Sequence, residues 1–111
     1  MILLDQWEIA LVPFPFTDRN ATVKRAALTL SARSFNGAAS ATIFAMITKA
    51  QFSVWPGDYV IKDWKNAGLL LPSIARIKLF TLENTLILRR LGALGVSDIR
   101  GFQAAARPVL W

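Results

Sequence analysis

Lys24-Arg25-Ala26-Ala27-Leu28-Thr29-Leu30-Ser31-Ala32-Arg33, then Asn36-Gly37, then Thr42-Ile43-Phe44-Ala45-Met46-Ile47-Thr48 is the stretch whose reading decides the fold of this chain. From Arg25 to Arg33 the residues alternate: Arg25, Ala27, Thr29, Ser31 and Arg33 share one face, and Ala26, Leu28, Leu30 and Ala32 the other. A period of two predicts a strand with one polar face. Thr42 to Thr48 alternates again. Between them, Asn36-Gly37 is the strongest short hairpin signal, because a type I′ turn needs positive φ at both central residues. With those two as the loop, Ser31 faces Thr42, Thr29 faces Phe44, Ala27 faces Met46 and Arg25 faces Thr48. Directly opposed residues share a face, with Cβ atoms roughly 4.5–5.5 Å apart. A guanidinium is therefore expected beside a hydroxyl at the open end of the hairpin.

Working outward, Glu8 to Phe14 is a nearly continuous apolar run closed by Pro13, Pro15 and the polar segment Thr17 to Thr22, which predicts a strand buried on both faces. Lys49 to Asp58 reads as a loop, Tyr59 to Lys62 as a short strand, and Asp63 to Pro72 as irregular. Ile74 to Leu82 and Leu86 to Leu91 are β-rich runs separated by Glu83-Asn84, a second hairpin candidate. Ser97 has the character of an N-cap, and Asp98 suits the positive end of a helix. Ile99, Phe102, Ala106 and Val109 recur at helical spacing, predicting an amphipathic helix that stops near Pro108. Gly101 inside it costs about 1 kcal/mol relative to Ala. Many short strands followed by one helix predict a mainly β fold, a small and strongly curved antiparallel sheet or partly open barrel, as one domain over 1–111. Loops at the rim of such a barrel, near Arg25, are where function is expected.

The composition narrows the chemistry. The 111 residues include 13 Lys plus Arg against 7 Asp plus Glu, a formal charge of +6, with no Cys and no His. A disulfide framework, a thiol nucleophile, a Ser-His triad and a typical zinc site are all excluded. With 54% apolar residues and only 18% charged, the chain is short of polar surface for a monomer of its size, and a homodimer is expected. The longest charge-free stretch, Ser34 to Thr48, is shorter than the roughly 20 residues a membrane helix needs. The beginning Met-Ile-Leu-Leu-Asp lacks the pattern of a signal peptide, so a soluble cytoplasmic protein with no membrane partner is expected. Excess positive charge points to an anionic partner, either nucleic acid or an acidic protein segment.

Val12-Pro13-Phe14-Pro15-Phe16-Thr17-Asp18, the Lys24 to Ser31 block, Ile47-Thr48, Asp63-Trp64 with Ala67-Gly68-Leu69, and Pro72-Ser73 together resemble the MazF/PemK toxins of bacterial type II toxin-antitoxin pairs. The resemblance implies a homodimeric SH3-like barrel with a C-terminal helix, ribonuclease activity on single-stranded RNA, and an antitoxin segment that blocks the RNA groove. It places the family arginine on Arg25 and the family threonine on Thr48, the two residues that the hairpin register pairs. The chain departs from the family pattern in having Trp7-Glu8 where Gly-Asp is usual, and Phe80 ahead of Thr81 where some members carry an arginine.

RNA carries its own nucleophile, the 2′-hydroxyl, so such a site needs only to align it and stabilise charge on the phosphoryl oxygens, with neither cofactor nor metal. Arg25 suits the clamp, since its planar fork matches phosphate and its pKa, above about 12, makes it a poor base. Thr48 would hydrogen-bond the same phosphate. Phe16 and Thr17 are candidate substrate contacts beside the first loop. Lys24, Lys49, Gln51 and Arg76 are candidate phosphate or base contacts that would suit ordinary surface equally well. Phe14 is assigned to the core, Trp7 and Trp64 to packing or a dimer interface, and Arg89-Arg90 to solvated surface. Two other functions fit the same fold: a CcdB-like gyrase poison, and a catalytically degenerate, antitoxin-binding dimer.

Overall fold

The computed structural model describes residues 1–14, 23–51 and 55–111. Along the chain these form β1 (Glu8–Pro13), β2 (Lys24–Thr29), α1 (Arg33–Ala39), β3 (Ala41–Lys49), β4 (Tyr59–Val60), β5 (Ser73–Glu83), β6 (Arg89–Ala93) and α2 (Val96–Leu110). The strands make one antiparallel six-stranded sheet in the order β4-β5-β3-β2-β1-β6, curled into a half-barrel. The mainly β architecture with a C-terminal helix is as expected.

Pairing of β2 with β3 follows the expected register, Ala27 opposite Met46 and Thr29 opposite Phe44. The expected two-residue turn is absent. Asn36-Gly37 lies in the middle of α1, and Ser40, with φ 54°, ends that helix. Because the insertion is centred on the same two residues, it lengthens the connection without shifting the ladder. Asn36 is fully buried, and burial requires its carboxamide to find partners. It donates to the carbonyls of Leu4 and Ser31 and accepts from the Ser31 hydroxyl, bonds that an exposed turn would forgo.

The second hairpin expectation fails for the same physical reason. Asn84 is buried at the start of a short 3₁₀ turn, Asn84–Leu86, where it accepts from the Thr42 hydroxyl at 2.7 Å and donates to the Asn36 carbonyl at 2.8 Å. β6 therefore does not fold back on β5. It crosses to the far edge of the sheet and pairs with β1, Arg89 opposite Leu11.

Both faces of the sheet are covered. Ile9, Leu28, Ala45, Ile47 and Ala75 pack with Phe102 and Ala106 of α2 on one side; Leu4, Ala10, Val12, Phe14, Ala27, Phe44, Phe80 and Ile87 form a core on the other. β1 is accordingly lined on both sides, as its continuous apolar run predicts. The face of β2 expected to be polar is instead buried at Ala27 and Thr29, and the Thr29 hydroxyl has no hydrogen-bond partner among the described residues.

Trp7 precedes β1 with φ 72°, a left-handed conformation that costs a non-glycine residue roughly 1–2 kcal/mol. This gives a backbone reason for the glycine usual there in the family. In this chain the indole packs edge-on against Phe102, with centroids 5.9 Å apart, which offsets the strain.

At the start of α2 the cap is Gly95, not Ser97, which lies in the first turn, and the helix continues past Pro108 to Leu110. Asp98 does more than face the helix dipole. It is buried and accepts from the Tyr59 hydroxyl at 2.6 Å and from the backbone N–H groups of Lys62 and Asp63, both at 3.0 Å. Gly101 leaves room for this arrangement, since a Cβ there would stand 2.3 Å from the Tyr59 ring. Replacing Gly101 by Ala is expected to lower stability by about 1–3 kcal/mol in chemical denaturation, despite the better helix propensity of Ala.

Burial pushes the Asp98 carboxyl up, but the hydrogen bonds from Tyr59, Lys62 and Asp63 and the Lys62 charge outweigh it, holding the group below its ordinary range. Tyr59 is pushed up to about 12 by burial and by Asp98. A depressed carboxyl contributes stability that is complete above its unfolded pKa of about 4 and is lost as pH falls through the folded value. A raised phenol contributes stability complete below about 10 and lost as pH climbs through the folded value. Thermal melts across pH should show both losses in the wild type; in Asp98→Asn the acid-side dependence should be shallower.

Candidate nucleic-acid interface

The open ends of β2 and β3 meet in a groove of about 280 Å³. Continuing the Ala27–Met46 register two residues along each strand places Arg25 opposite Thr48 on the face of Ala27 and Met46, at the border of this groove. Lys24 and Lys49, their neighbours in sequence, line it, with Ser73 of β5. The far wall comes from the segment after β4, Gly68 to Leu71, and from Arg89 and Leu91 of β6. Lys24, Lys49 and Arg89, on the face of Ala26, Ile47 and Leu91, thus share one depression with no Asp or Glu among its described lining residues, while Arg25 and Thr48 border it from the opposite face of the sheet. A low-dielectric concavity lined by one sign of charge concentrates its field on an oppositely charged ligand.

Backbone contact seats the far wall. Gly68 has φ 88°, and a Cβ on it would lie 2.1 Å from the Leu91 carbonyl oxygen; one on Gly92 would lie 2.2 Å from that of Ala67. The Asp63 to Leu69 turns therefore lie directly on β6. Asp98, which holds the N–H groups of Lys62 and Asp63, anchors the start of the same segment.

Arg25 is supported from beneath by an aromatic stack. Its guanidinium carbon lies 5.1 Å from the centroid of Phe14, within cation–π range. Phe14 meets Phe80 edge-on at 6.0 Å, and Phe80 stacks on Phe44 at 5.6 Å. Phe80, which stands where some family members carry an arginine, is a core residue under the ring that supports Arg25.

The remaining candidates are placed elsewhere. Arg76 grips Asp58 through two hydrogen bonds of 3.1 and 2.9 Å and lies 5.5 Å from the Trp55 ring centroid. The Asp58 carboxylate raises its pKa, with burial opposing the rise, and Arg76 is not among the groove-lining residues. A bulge in the β3–β5 ladder, between Ala45 and Met46, turns β5 here. Gln51 is exposed and is likewise not among the lining residues. Phe16 and Thr17 lie outside the described residues. Sequence reasoning assigned Arg89 to solvated surface; the signal within reach was the alternation that puts Arg89 and Leu91 on one face of β6 and Arg90 on the other.

The fold is that of a known class of toxin structures. MazF from Deinococcus radiodurans superposes with a TM-score of 0.77 over 99% of this chain and 98% of that one, at 12% identity. An endoribonuclease from a mycobacterial species, solved in complex with its cognate antitoxin, gives 0.73 over 99% and 95% at 12% identity. The Mycobacterium tuberculosis toxin MazF-mt6 gives 0.70 over 88% and 90% at 17% identity. At such identities the likeness speaks for the fold alone. No curated protein sequence matches the chain significantly. Membership rests on the family model, which matches residues 5–110: the chain belongs to the PemK-like, MazF-like toxins of type II toxin-antitoxin systems.

Because Arg76 is held in a largely buried bidentate pair, Arg76→Ala is expected to lower unfolding free energy by about 1.5–3 kcal/mol. Lys24→Ala and Lys49→Ala, on exposed side chains, should stay within about 0.5 kcal/mol of the wild type. Denaturant titration of the three variants checks the contrast.

Proposed function

We propose that the groove binds single-stranded RNA and cleaves it by attack of the RNA's own 2′-hydroxyl on the adjacent phosphorus. The observation that supports this reading is that Arg25 and Thr48 share one face at the ends of β2 and β3, the guanidinium held over Phe14, with Lys24, Lys49 and Arg89 nearby and no carboxylate among the described residues that line the depression. As the 2′-oxygen bonds to phosphorus, the bond to the 5′-oxygen breaks. The hydroxyl proton passes to solvent and the leaving oxygen takes one up, giving a 2′,3′-cyclic phosphate and a 5′-hydroxyl end. Negative charge grows on the non-bridging oxygens during this step, and Arg25 is the preorganised donor aimed at it. Held over Phe14, its fork needs little reorganisation to meet the phosphate. Thr48 donates its hydroxyl to the same group. The described lining has Lys, Arg, Thr and Ser side chains but no carboxylate, a donor set unsuited to magnesium, so the mechanism is proposed to run without metal.

The same positive groove suits an acidic antitoxin segment, which would inhibit by covering Arg25 and Thr48. A cytoplasmic homodimer completes the reading, consistent with the apolar composition and with exposed apolar side chains such as Leu110 and Trp111.

Incubation of the purified protein with single-stranded RNA in EDTA is expected to yield fragments with cyclic-phosphate or 3′-phosphate ends. Arg25→Ala should cut at least about a hundredfold more slowly, the loss expected when one preorganised donor is removed. An Arg25→Ala protein that cuts at the wild-type rate would overturn the assignment. Intact RNA together with DNA damage on expression would favour a gyrase poison; intact RNA and unimpaired growth would favour a degenerate, antitoxin-binding dimer.

A further inference from the structure

We infer that the exposed ring of Trp55 stacks on a base of the bound strand, beside the nucleotide held at Arg25 and Thr48, and so fixes where the strand lies relative to that pair; this rests on the RNA reading proposed above. Trp55 lies on the face that the pair occupies. Met46 of β3 stands opposite Ala27 on one side and Arg76 on the other, and Thr48, two residues on, stands opposite Ile74. Thr48 and Arg76 are therefore diagonal neighbours on one face, roughly 7–8 Å apart and within reach of long side chains. Arg76 in turn meets the indole, its guanidinium carbon 5.5 Å from the Trp55 ring centroid, and Nζ of Lys78 lies 5.7 Å from the same centroid. Phe80, two residues beyond Lys78, stands opposite Phe44 on this face and meets Phe14, the ring beneath Arg25. Arg25, Thr48 and Trp55 thus lie in sequence across β2, β3 and β5 on one side of the sheet.

The ring is fixed before any ligand arrives. Trp55-Pro56-Gly57-Asp58 is a turn in which the Asp58 N–H donates to the Trp55 carbonyl at 3.3 Å; Pro at its second position and Gly57 at φ 84° are the pattern of type II. A Cβ on Gly57 would stand 2.9 Å from the Val109 side chain and 3.0 Å from that of Ile77, so the turn is pressed against α2 and β5. The indole Nε1–H donates to the Ile77 carbonyl at 3.0 Å, within the bulge of the β3–β5 ladder. Asp58, the one carboxylate of the turn, is neutralised by its bidentate pair with Arg76. With its polar atom bonded to the backbone, Trp55 still has 43% of its surface exposed. A half-exposed indole accompanied by cations is the element on which single-stranded nucleic acids stack their bases. Because the turn already orders the ring, stacking costs little further side-chain freedom.

Binding is measured with a 2′-O-methyl oligonucleotide, which lacks the attacking hydroxyl, of a sequence that the protein cuts as RNA. With iodouracil placed at each position in turn, irradiation of the wild-type complex is expected to join one position to Trp55, read by mass spectrometry of the peptides. Abasic residues scanned along the same oligonucleotide should single out that position, where loss of the base weakens binding about five- to a hundredfold, the value of one stacked base. Trp55→Leu should weaken binding of the intact oligonucleotide by a similar factor and abolish the abasic penalty at that position while leaving the penalties elsewhere. Trp55→Phe, which keeps a ring, should restore much of the affinity. The saturated single-turnover cleavage rate should stay within about threefold of the wild type in both variants, since the stack is present equally in substrate and transition state. Arg25→Ala should lose that rate, and unfolding midpoints confirm that each variant is folded. Abasic penalties that Trp55→Leu leaves unchanged at every position, or crosslinks confined to other residues, overturn the inference while leaving the RNA reading intact. A wild-type protein that neither binds nor cuts RNA overturns that reading, and the role of Trp55 with it.

Discussion

Sliding β2 past β3 by a single residue would turn Leu28 and Ala45 out of one core, pull Ala27 and Phe44 out of the other, and part Arg25 from Thr48. Register in a sheet covered on both faces is therefore strongly specified, since each slip exchanges the residues on both sides at once. The observed ladder, with Leu28 opposite Ala45, satisfies both cores together. The position of Arg25 relative to Thr48 follows from that burial. The apolar alternation of two strands thus carries the geometry of the groove.

What locks the ladder is a buried polar network at its far end. Asn36, Asn84, Thr42 and Ser31 join α1, β3, the 3₁₀ turn and the N-terminal segment through buried and part-buried hydrogen bonds. Such bonds contribute modestly when made, but leaving one of these groups unpaired costs the full desolvation penalty. The network therefore acts mainly against alternatives: a chain that put Asn36 or Asn84 at a solvent-facing turn would strand the partners waiting for it. At the groove end the corresponding device is Asp98, which ties α2 to the segment that becomes the far wall.

Charge is sorted by the same geometry. Carboxylates are taken up by arginines that point away from the groove, Glu8 by Arg90, Asp5 by Arg33 and Asp58 by Arg76. Lys24, Arg25, Lys49 and Arg89 around the groove have no ion pair or hydrogen bond among the described residues, which leaves their charge open to a polyanion. Aromatic residues substitute for acids beneath Arg25. A π face orients a guanidinium without neutralising it, which a carboxylate would do.

Much of this was legible in the sequence. The alternation of Arg25 to Arg33 and of Thr42 to Thr48 specified two strands, because a period of two is a local property of the chain; the expected register came from centring the connection on Asn36-Gly37, and the longer connection through α1 keeps that centre. The family blocks at Val12 to Asp18, Lys24 to Ser31 and Asp63 to Ser73 carried the family. Helical spacing from Ile99 to Ala106 marked α2. The sequence misled at Asn36-Gly37 and Glu83-Asn84, where turn chemistry was the strongest local signal and buried hydrogen bonds between distant segments overrode it. Only tertiary structure decided that β6 pairs with β1 and not β5, that Arg76 is spent on Asp58, and that Arg89 faces the groove. Each depends on a partner far away in the chain, and local propensity does not encode which partner a buried polar group or a free edge will find.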